Sequence, residues 1–508
     1  MDDRKSVFNE IGFDATIESV CDEIRVLYQD DGVPWVIGYS GGKDSTAIVQ
    51  LVWMALSKLP TTARTKPVHV ISTDTLVENP VVSSWVSKSL KRLAAASESQ
   101  NLPIKAHPLT PDVTDTYWVN LIGKGYPAPR NKFRWCTERM KIKPSNTFIR
   151  ETVKANGEAI LVLGTRKAES SRRHATMNRH EAKRVRERLS PNSRLTNCMV
   201  YTPVEDWQND DVWQFLMQTE NPWGHSNKDL LGMYRGASED GECPLVVDDT
   251  TPSCGNSRFG CWTCTLVDQD KSMAAMIQND VEKEWMEPLL DFRNKLDFRS
   301  DEDRAKDRAN RDFRRLTGKI TFQDSALDGP KLVHGPYTQE ARSHWLRELL
   351  KTQKIVNELA PADMEHLDLI QLEELEEIRR IWVMDKHEVE DLVPKIYEEE
   401  LGSPYPGPPI HRSASLGTET LDILKDIADS DLSYEMVRNL LDAEERYRTQ
   451  AKRRNLFPEL EQIIESCFYD SEEDALTRAQ EQHDIKQGPH EIETSPVPIT
   501  MNQLPLLD

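Results

Sequence analysis

The sequence has no apolar run long enough to cross a membrane. The longest candidate, around residues 48–56, falls well short of the roughly 20 residues that a spanning helix needs. The first residues, MDDRKSVFNEIGFD, contain no apolar segment typical of a secretory signal. Overall positive charge is also missing, because the 508 residues carry a formal net charge of −21. We therefore expect a cytoplasmic protein without membrane contact, and not a general nucleic-acid binder.

The positive charge that is present is concentrated in one stretch. Residues 124–194 contain 19 Lys and Arg against 6 Asp and Glu, inside an otherwise acidic chain. Such a stretch either forms a local anion-binding site or is the solvated face of a helix. We favour the anion site.

Cysteine is sparse but clustered. The chain has eight cysteines, and four of them, at positions 243, 254, 261 and 264, fall within 22 residues. In a large cytoplasmic protein this clustering indicates metal or redox chemistry rather than structural disulfides. Cys261 and Cys264 form a C-x-x-C pair, and thiolates at such spacing suit zinc or an iron–sulfur cluster.

Strand and helix patterns alternate through the first half of the chain. Buried strands are predicted at 35–39, 67–72, 158–164 and 199–203, with helices at 5–30, 45–58 and 80–100. This alternation predicts an α/β fold with a mostly parallel sheet flanked by helices. Ligands of such sheets bind beyond the carboxyl ends of the strands.

The rest of the chain divides by composition. The predicted segments are an N-terminal helix at 1–30, the α/β domain at 31–240, a Cys-rich segment with a hairpin at 241–335, a helical C-terminal domain at 336–470 and a disordered acidic tail at 471–508. The helical domain is either a structural appendage or a docking platform for a partner, and we favour docking slightly.

The loop YSGGKDST, residues 39–46, lies between a predicted strand and a predicted helix. Its glycines allow close backbone approach, and a helix N-terminus with a lysine favours an anion. The spacing is not that of a Walker A loop. It resembles the PP-loop of N-type ATP pyrophosphatases, and the alternative is a glycine turn with incidental charges. The resemblance implies an ATP site with Lys43 and Asp44 catalytic. Its residues are Ser40, Gly41, Gly42, Lys43, Asp44 and Ser45 of the loop, together with Asp74, Gly164 and Arg166 from later in the chain.

A second motif, GTRKAESSR, begins at Gly164 after a predicted strand. It is similar to the G-x-R-K-x-x-S segment of sulfonucleotide reductases. Arg166, Lys167 and Arg172 could fork onto phosphate oxygens, and Arg166 and Lys167 are candidate catalytic residues. Asp74 follows the second strand, where it would face ribose or a metal-bound phosphate, or else cap a turn.

Cys136 lies in RWCTERMKIKP, which is similar to the Cys-Cys-x-x-x-K-x-x-P segment of cluster-containing sulfonucleotide reductases. Thr137 replaces the second cysteine of that pair. The resemblance implies a [4Fe–4S] cluster on Cys136, Cys261, Cys264 and a fourth ligand, Cys254 or Cys243. The remaining cysteine would carry persulfide sulfur or be a plain buried thiol, and zinc alone is the alternative metal.

Together with VISTDTLVENP and YTPVEDWQNDDVW, these motifs resemble the DndC family of DNA phosphorothioation sulfurtransferases from about residue 30 to 350. The resemblance implies ATP pyrophosphatase activity with Mg²⁺, a [4Fe–4S] cluster and exchange of a backbone phosphate oxygen for sulfur. It implies a cysteine desulfurase as sulfur donor, other Dnd proteins as partners, and DNA contacts made through that complex.

Three other functions remain open. A sulfonucleotide reductase would need a C-terminal catalytic cysteine, yet residues 470–508 contain none. A tRNA thiolase would use the same adenylation and cluster chemistry on another acceptor. A non-enzymatic ATP-binding scaffold would keep the loop without turnover.

Overall fold

The computed structural model describes residues 6–131, 133–184, 186, 188–238, 259–325, 329–362, 364, 366–409, 418–448 and 453–487. The chain divides into two compact units. The first comprises residues 1–307, 339–385 and 391–409, and the second comprises residues 308–338, 386–390 and 410–508.

A six-stranded sheet forms the centre of the first unit. Its strands are β1 Trp35–Gly38, β2 Val68–Thr73, β3 Ile104–Leu109, β4 Ala159–Val162, β5 Ser190–Pro191 and β6 Cys198–Tyr201. The spatial order is β3-β2-β1-β4-β6-β5, and all neighbours are parallel except β5 and β6. The strand order reverses between β1 and β4, which places the expected ligand crevice beyond the carboxyl ends of these two strands. The predicted α/β class is confirmed.

Thirteen described helices belong wholly or mainly to the first unit. They are α1 Phe13–Asp30, α2 Lys43–Ser57, α3 Pro80–Ser99, α4 Lys143–Asn156, α5 Ser171–Glu181, α6 Asn209–Gln218, α7 Asn227–Gly236, α8 Lys271–Asn279, α9 Glu287–Lys295, α10 Asp301–Ala309, α11 Gln339–Leu359, α12 Leu372–Arg380 and α13 Leu392–Leu401. None of the helices in the described ranges combines the length and the apolar character needed to span a bilayer.

Strand alternation builds a core on each face of the sheet. Trp35 and Ile37 point into the larger core, which contains the nearly fully buried helix α2. Val36, between them, points to the opposite face and packs with Ile71 and Ile149 of α4. Because successive side chains in a strand face opposite sides, an apolar run such as WVI marks a strand covered by helices on both faces.

Within the first unit, two tryptophan hydrogen bonds connect the segment that carries helices α11–α13 to residues 118–122. Trp118 donates its indole N–H to the Leu369 carbonyl at 2.6 Å, and Trp382 donates to the Ile122 carbonyl at 3.0 Å. Both indoles are almost fully buried. The boundary predicted at residue 336 therefore differs from the division in the structure, because residues 339–385 and 391–409 pack with the sheet domain.

The second unit contains the hairpin expected within the segment 241–335, formed by β7 Phe322–Ser325 and β8 Gly329–Leu332. Its helices are α14 Thr418–Ile427, α15 Asp431–Arg448, α16 Leu456–Cys467 and α17 Glu472–Gln487. Helix α17 corrects the prediction of a disordered tail from residue 471. Its acidic residues Glu472, Glu473 and Asp474 lie in the first turn, where the helix dipole favours negative charge. Residues 488–508 of that predicted tail lie outside the described residues.

Candidate active site

The loop after β1 has the geometry of an anion-binding turn. Helix α2 begins at Lys43, so the backbone N–H groups of its first turn face the loop. Ser45 Oγ accepts from the Ser40 N–H at 3.2 Å and donates to the Gly42 carbonyl at 3.0 Å, which closes the turn. Gly41 has φ +71°, a conformation that favours glycine. These features place Ser40–Ser45 at the carboxyl edge of the sheet, as the sequence predicts.

Side chains from distant elements hold this loop. Trp85 of α3 donates its indole N–H to the Gly41 carbonyl at 3.2 Å. Tyr234 of α7 accepts a hydrogen bond from the Lys43 N–H at 3.4 Å. A Cβ at Gly41 would lie 2.5 Å from Val86 Cγ2, and one at Gly42 would lie 3.1 Å from the Tyr234 hydroxyl. The loop is therefore packed tightly on two sides.

Arg166 fixes the acid of the loop. Its guanidinium Nε lies 2.8 Å from Asp44 Oδ1, and Nη1 donates to the Trp207 carbonyl at 3.3 Å. Arg166 is only 3% exposed. Gly164 permits this approach, because a Cβ there would lie 2.9 Å from the Asp44 carbonyl oxygen. The described geometry gives Arg166 the task of orienting Asp44, while the Lys43 ammonium lies 3.3 Å from the other Asp44 oxygen.

Lys167 points into an acidic environment. Its ammonium nitrogen lies 2.9 Å from Asp206, 3.2 Å from Glu181 and 3.9 Å from Glu205. Burial opposes the charged form, but these carboxylates outweigh it and raise the pKa of Lys167. Arg172 lies in α5, and its side chain is outside the described residues. The structure thus places Arg166 at the loop and Lys167 among carboxylates, and the phosphate role of Lys167 and Arg172 stays a prediction.

Asp74 follows β2 at the same edge of the sheet. Its carboxylate accepts from the Leu76 N–H at 2.8 Å and from the Ser83 hydroxyl at 3.5 Å. Burial, and then the charge of Glu78, raise the pKa of Asp74 despite these bonds. The contacts agree with the turn-capping alternative, and the position beside β1 is also compatible with a nucleotide contact.

The C-x-x-C segment lies against the residues that connect β2 to α3. The Trp262 N–H donates to the Val77 carbonyl at 2.9 Å, and the Asn79 N–H donates to the Gly260 carbonyl at 3.3 Å. Cys261 Sγ lies 3.3 Å from Thr75 Oγ1. The Cys264 N–H closes a turn onto the Cys261 carbonyl at 3.0 Å. This pairing positions both cysteines at the carboxyl edge of the sheet.

Cys136 approaches the same place from another segment. It immediately precedes the π-helical turn Thr137–Ile142, whose Lys141 ammonium lies 3.3 Å from the Glu78 carboxylate. Burial, followed by the charges of Cys136, Cys264 and Cys261, raises the pKa of the buried Tyr117 phenol. All three cysteines therefore lie near one buried side chain.

The donor set fits a thiolate-bound metal in type. Burial, followed by the Glu78 charge, raises the pKa of Cys261 to about 12, so this thiol is neutral unless a metal takes its proton. Among the described residues, no three Cys, His, Asp or Glu side chains are close enough to hold a metal ion. Cys243 and Cys254, the candidate fourth ligands, lie outside the described residues. Cys136, Cys261 and Cys264 are therefore candidate soft donors that the described structure does not bring together as a metal site, and the predicted fourth donor falls in the segment between residues 239 and 258.

An open cavity of about 350 Å³ lies beyond the end of β3. Leu109, Arg139, Lys143 and Phe148 are among its lining residues. The Arg139 guanidinium is stacked on Tyr126, with 4.9 Å between its carbon and the ring centroid. Arg139 and Lys143 both belong to the basic stretch that the sequence marks as an anion site.

Sequence reasoning did not single out Tyr234, Phe259 or Glu78. Tyr234 reads as an ordinary apolar position of a helix, 191 residues after the lysine whose amide it contacts. Its ring contacts Phe259 with 4.7 Å between centroids. Phe259 lies two residues before Cys261, so Tyr234 connects the loop at residues 40–45 to the cysteine segment. No local pattern could have indicated this contact.

Comparison with known proteins agrees with this geometry. Residues 34–266 match the model of the phosphoadenosine phosphosulfate reductase domain family. Residues 34–266 therefore form a phosphoadenosine phosphosulfate reductase-like domain. An uncharacterized protein of Methanocaldococcus jannaschii is 26% identical over 200 residues, which cover 39% of this chain and 35% of that protein. The chain thus spans about a third of the length of this curated relative.

Solved structures of similar proteins align at low scores. Phosphoadenylyl-sulfate reductase from Candida auris is 13% identical and covers 41% of this chain and 87% of its own, with a TM-score of 0.27. The U34-tRNA thiolase NcsA from Methanococcus maripaludis, solved with its [4Fe-4S] cluster, is 10% identical. The alignment covers 56% of this chain and 78% of the thiolase chain, also with a TM-score of 0.27. These scores are too low to bear on function.

Proposed function

We propose that this protein is an ATP-dependent sulfurtransferase that replaces an oxygen of a DNA backbone phosphate with sulfur. The observation that carries the proposal is the connection between the loop and the cysteine segment through Lys43, Tyr234 and Phe259. A second connection runs through α3, where Asn79 contacts the cysteine segment and Trp85 contacts the loop. These two residues are about 9 Å apart along the helix axis. An activated phosphate and a sulfur-bearing thiol would therefore be neighbours.

The first chemical step uses the loop. A phosphate oxygen of the acceptor attacks the α-phosphorus of ATP, and the bond to the pyrophosphate breaks. Lys43 and the N–H groups at the start of α2 would stabilise the negative charge of the departing pyrophosphate. Asp44, which Arg166 holds, would bind the Mg²⁺ that accompanies ATP once the nucleotide draws Lys43 away from its second oxygen. The acceptor then carries AMP, which is a far better leaving group than oxide.

The second step delivers sulfur. The outer sulfur of a cysteine persulfide attacks the adenylated phosphorus, and AMP leaves with the original oxygen. A second thiol then cleaves the S–S bond, which leaves sulfur on phosphorus and a protein disulfide that a cellular dithiol re-reduces. Cys136, Cys261, Cys264 and either Cys254 or Cys243 would hold a [4Fe–4S] cluster, and the cysteine left outside that ligand set would carry the persulfide.

Charge supports the proposed partners. The chain carries −21 overall, so DNA affinity would come from companion Dnd proteins, with only residues 124–194 contributing a basic surface. A cysteine desulfurase is the expected source of persulfide sulfur.

The test is mass spectrometry of digested DNA and tRNA from cells that express the protein with its companion genes. We expect phosphorothioate dinucleotides in the wild type, and their loss in Lys43→Ala and Cys261→Ser. Lys91→Ala, an exposed lysine of α3, and Cys198→Ala, in β6, are matched controls that should retain them.

Other results would redirect the assignment. A thionucleoside lost from tRNA in both variants, with DNA unchanged, would indicate a tRNA thiolase. Wild-type levels of phosphorothioate in Lys43→Ala would contradict the adenylation step. If neither nucleic acid contains sulfur that depends on the protein, the scaffold or sulfonucleotide reductase alternatives would replace the proposal.

A further inference from the structure

Tyr234 occupies an unusual position between two functional segments. Its ring makes edge-on contacts with Trp213 at 5.1 Å and with Phe259 at 4.7 Å between centroids. Its hydroxyl lies at the N-terminus of α2, where it accepts from the Lys43 N–H. The Lys43 ammonium lies 5.6 Å from the centroid of the same ring. One side chain thus contacts the backbone amide and the charged group of the loop lysine.

The hydroxyl has a proton to give. Burial raises the pKa of the Tyr234 phenol, so it stays protonated. Its oxygen accepts from the Lys43 N–H, and the O–H has no acceptor among the described residues, so it can donate to an anion bound at the loop. The hydrogen bond from the Lys43 N–H to the Tyr234 oxygen is long at 3.4 Å. A bound anion, whose oxygens are stronger acceptors, can therefore take the place of the Tyr234 oxygen at little cost.

We propose that Tyr234 is a nucleotide-sensing residue. Its hydroxyl donates to a phosphate oxygen of bound ATP, and the accompanying shift of its ring changes the packing of Phe259 and therefore the position of the cysteine segment. This inference rests on the proposed use of ATP. It adds a phosphate contact to the loop and a physical reason why sulfur transfer would wait for the nucleotide.

The packing leaves the ring little freedom on the loop side. A Cβ at Gly42 would lie 3.1 Å from the Tyr234 hydroxyl, so the hydroxyl already fills the space beside the loop. A shift of the hydroxyl toward phosphate must therefore be taken up at the other end of the ring, against Phe259. The next residue, Gly260, accepts from the Asn79 N–H, and Cys261 follows directly. The movement would reach the thiol within two residues.

The first experiment measures Mg·ATP affinity by calorimetry on the full chain. Tyr234→Phe keeps the ring contacts and removes only the hydroxyl. We expect its dissociation constant to rise about tenfold, the effect of losing one hydrogen bond to a charged group, with an unchanged melting temperature. Tyr28→Phe is the matched control, because the buried Tyr28 hydroxyl donates to the Lys66 carbonyl at 2.6 Å, away from the loop. Equal affinity of Tyr234→Phe and wild type would overturn the phosphate contact.

The second experiment follows amide hydrogen exchange in the peptide that spans residues 259–265, with and without a non-hydrolysable ATP analogue. We expect the analogue to slow exchange severalfold in the wild type, and to have no effect in Phe259→Leu, although this variant still binds the nucleotide. The same protection in both proteins would overturn the transmission through Phe259. A wild-type chain that fails to bind Mg·ATP would instead overturn the proposed function itself.

Discussion

Gly41 offers a stringent test of the loop geometry. An alanine there would adopt φ +71°, at a cost of about 1–2 kcal/mol, because a Cβ crowds the following carbonyl in that region. The new Cβ would also lie 2.5 Å from Val86 Cγ2, an overlap that costs about another 1–3 kcal/mol. We expect Gly41→Ala to lower the free energy of unfolding by about 2–5 kcal/mol.

Gly224 provides the matched control. It also has φ +71°, but a Cβ there meets nothing within 4 Å, so Gly224→Ala carries the backbone cost alone. All 12 tryptophans lie in the first unit, so tryptophan fluorescence during denaturation reports on the unit that contains both glycines. Adding Val86→Ala to Gly41→Ala should recover part of the loss. If Gly41→Ala and Gly224→Ala unfold at the same denaturant concentration, the proposed contact with Val86 is wrong.

Three further predictions concern Arg166, Glu374 and Cys264. Arg166→Ala should lower the free energy of unfolding by about 3 kcal/mol in chemical denaturation, because Asp44 and the Trp207 carbonyl lose their donor; Arg173→Ala, at an exposed site, should be close to neutral. Burial raises the pKa of the Glu374 carboxyl to about 7. The folded chain therefore keeps a proton that the unfolded chain releases above about pH 4.5, and the free energy of unfolding falls as the pH rises through 7. Glu374→Gln should remove this loss, of up to about 3 kcal/mol, in melting curves at pH 5 and pH 8. Cys264→Ser should lose iron and acid-labile sulfide after anaerobic purification, and retention of both would contradict the ligand assignment.

The alternation of apolar runs predicted four of the six strands of the sheet. β1 is the clearest case, because it is covered on both faces and reads as the apolar run WVIG, whereas β2 includes His69, Ser72 and Thr73. β3, with the sequence IKAHPL, was not predicted, because it is an edge strand in which lysine, histidine and proline are tolerated. β5 is two residues long and has no pattern to detect.

The candidate site was predictable where its residues are local in sequence. The loop at 40–45 and the turn at 261–264 each have a recognisable spacing, and both lie at the predicted edge of the sheet. What surrounds a motif could not be predicted, because it depends on tertiary contacts. The three carboxylates around Lys167 come from α5 and the segment after β6. Tyr234 reaches the loop only because α7 packs beside it.

The two units alternate along the chain, which passes between them five times. Because each unit consists of three separate chain segments, neither unit can be exchanged or expressed as one contiguous gene fragment. A chain cut at residue 336, where the composition changes, would lose the carbonyl that Trp118 bonds and the whole of Trp382. Gene fusions or deletions in relatives should therefore preserve residues 339–409 together with the sheet domain, and evolution of the second unit is confined to changes within its own three segments.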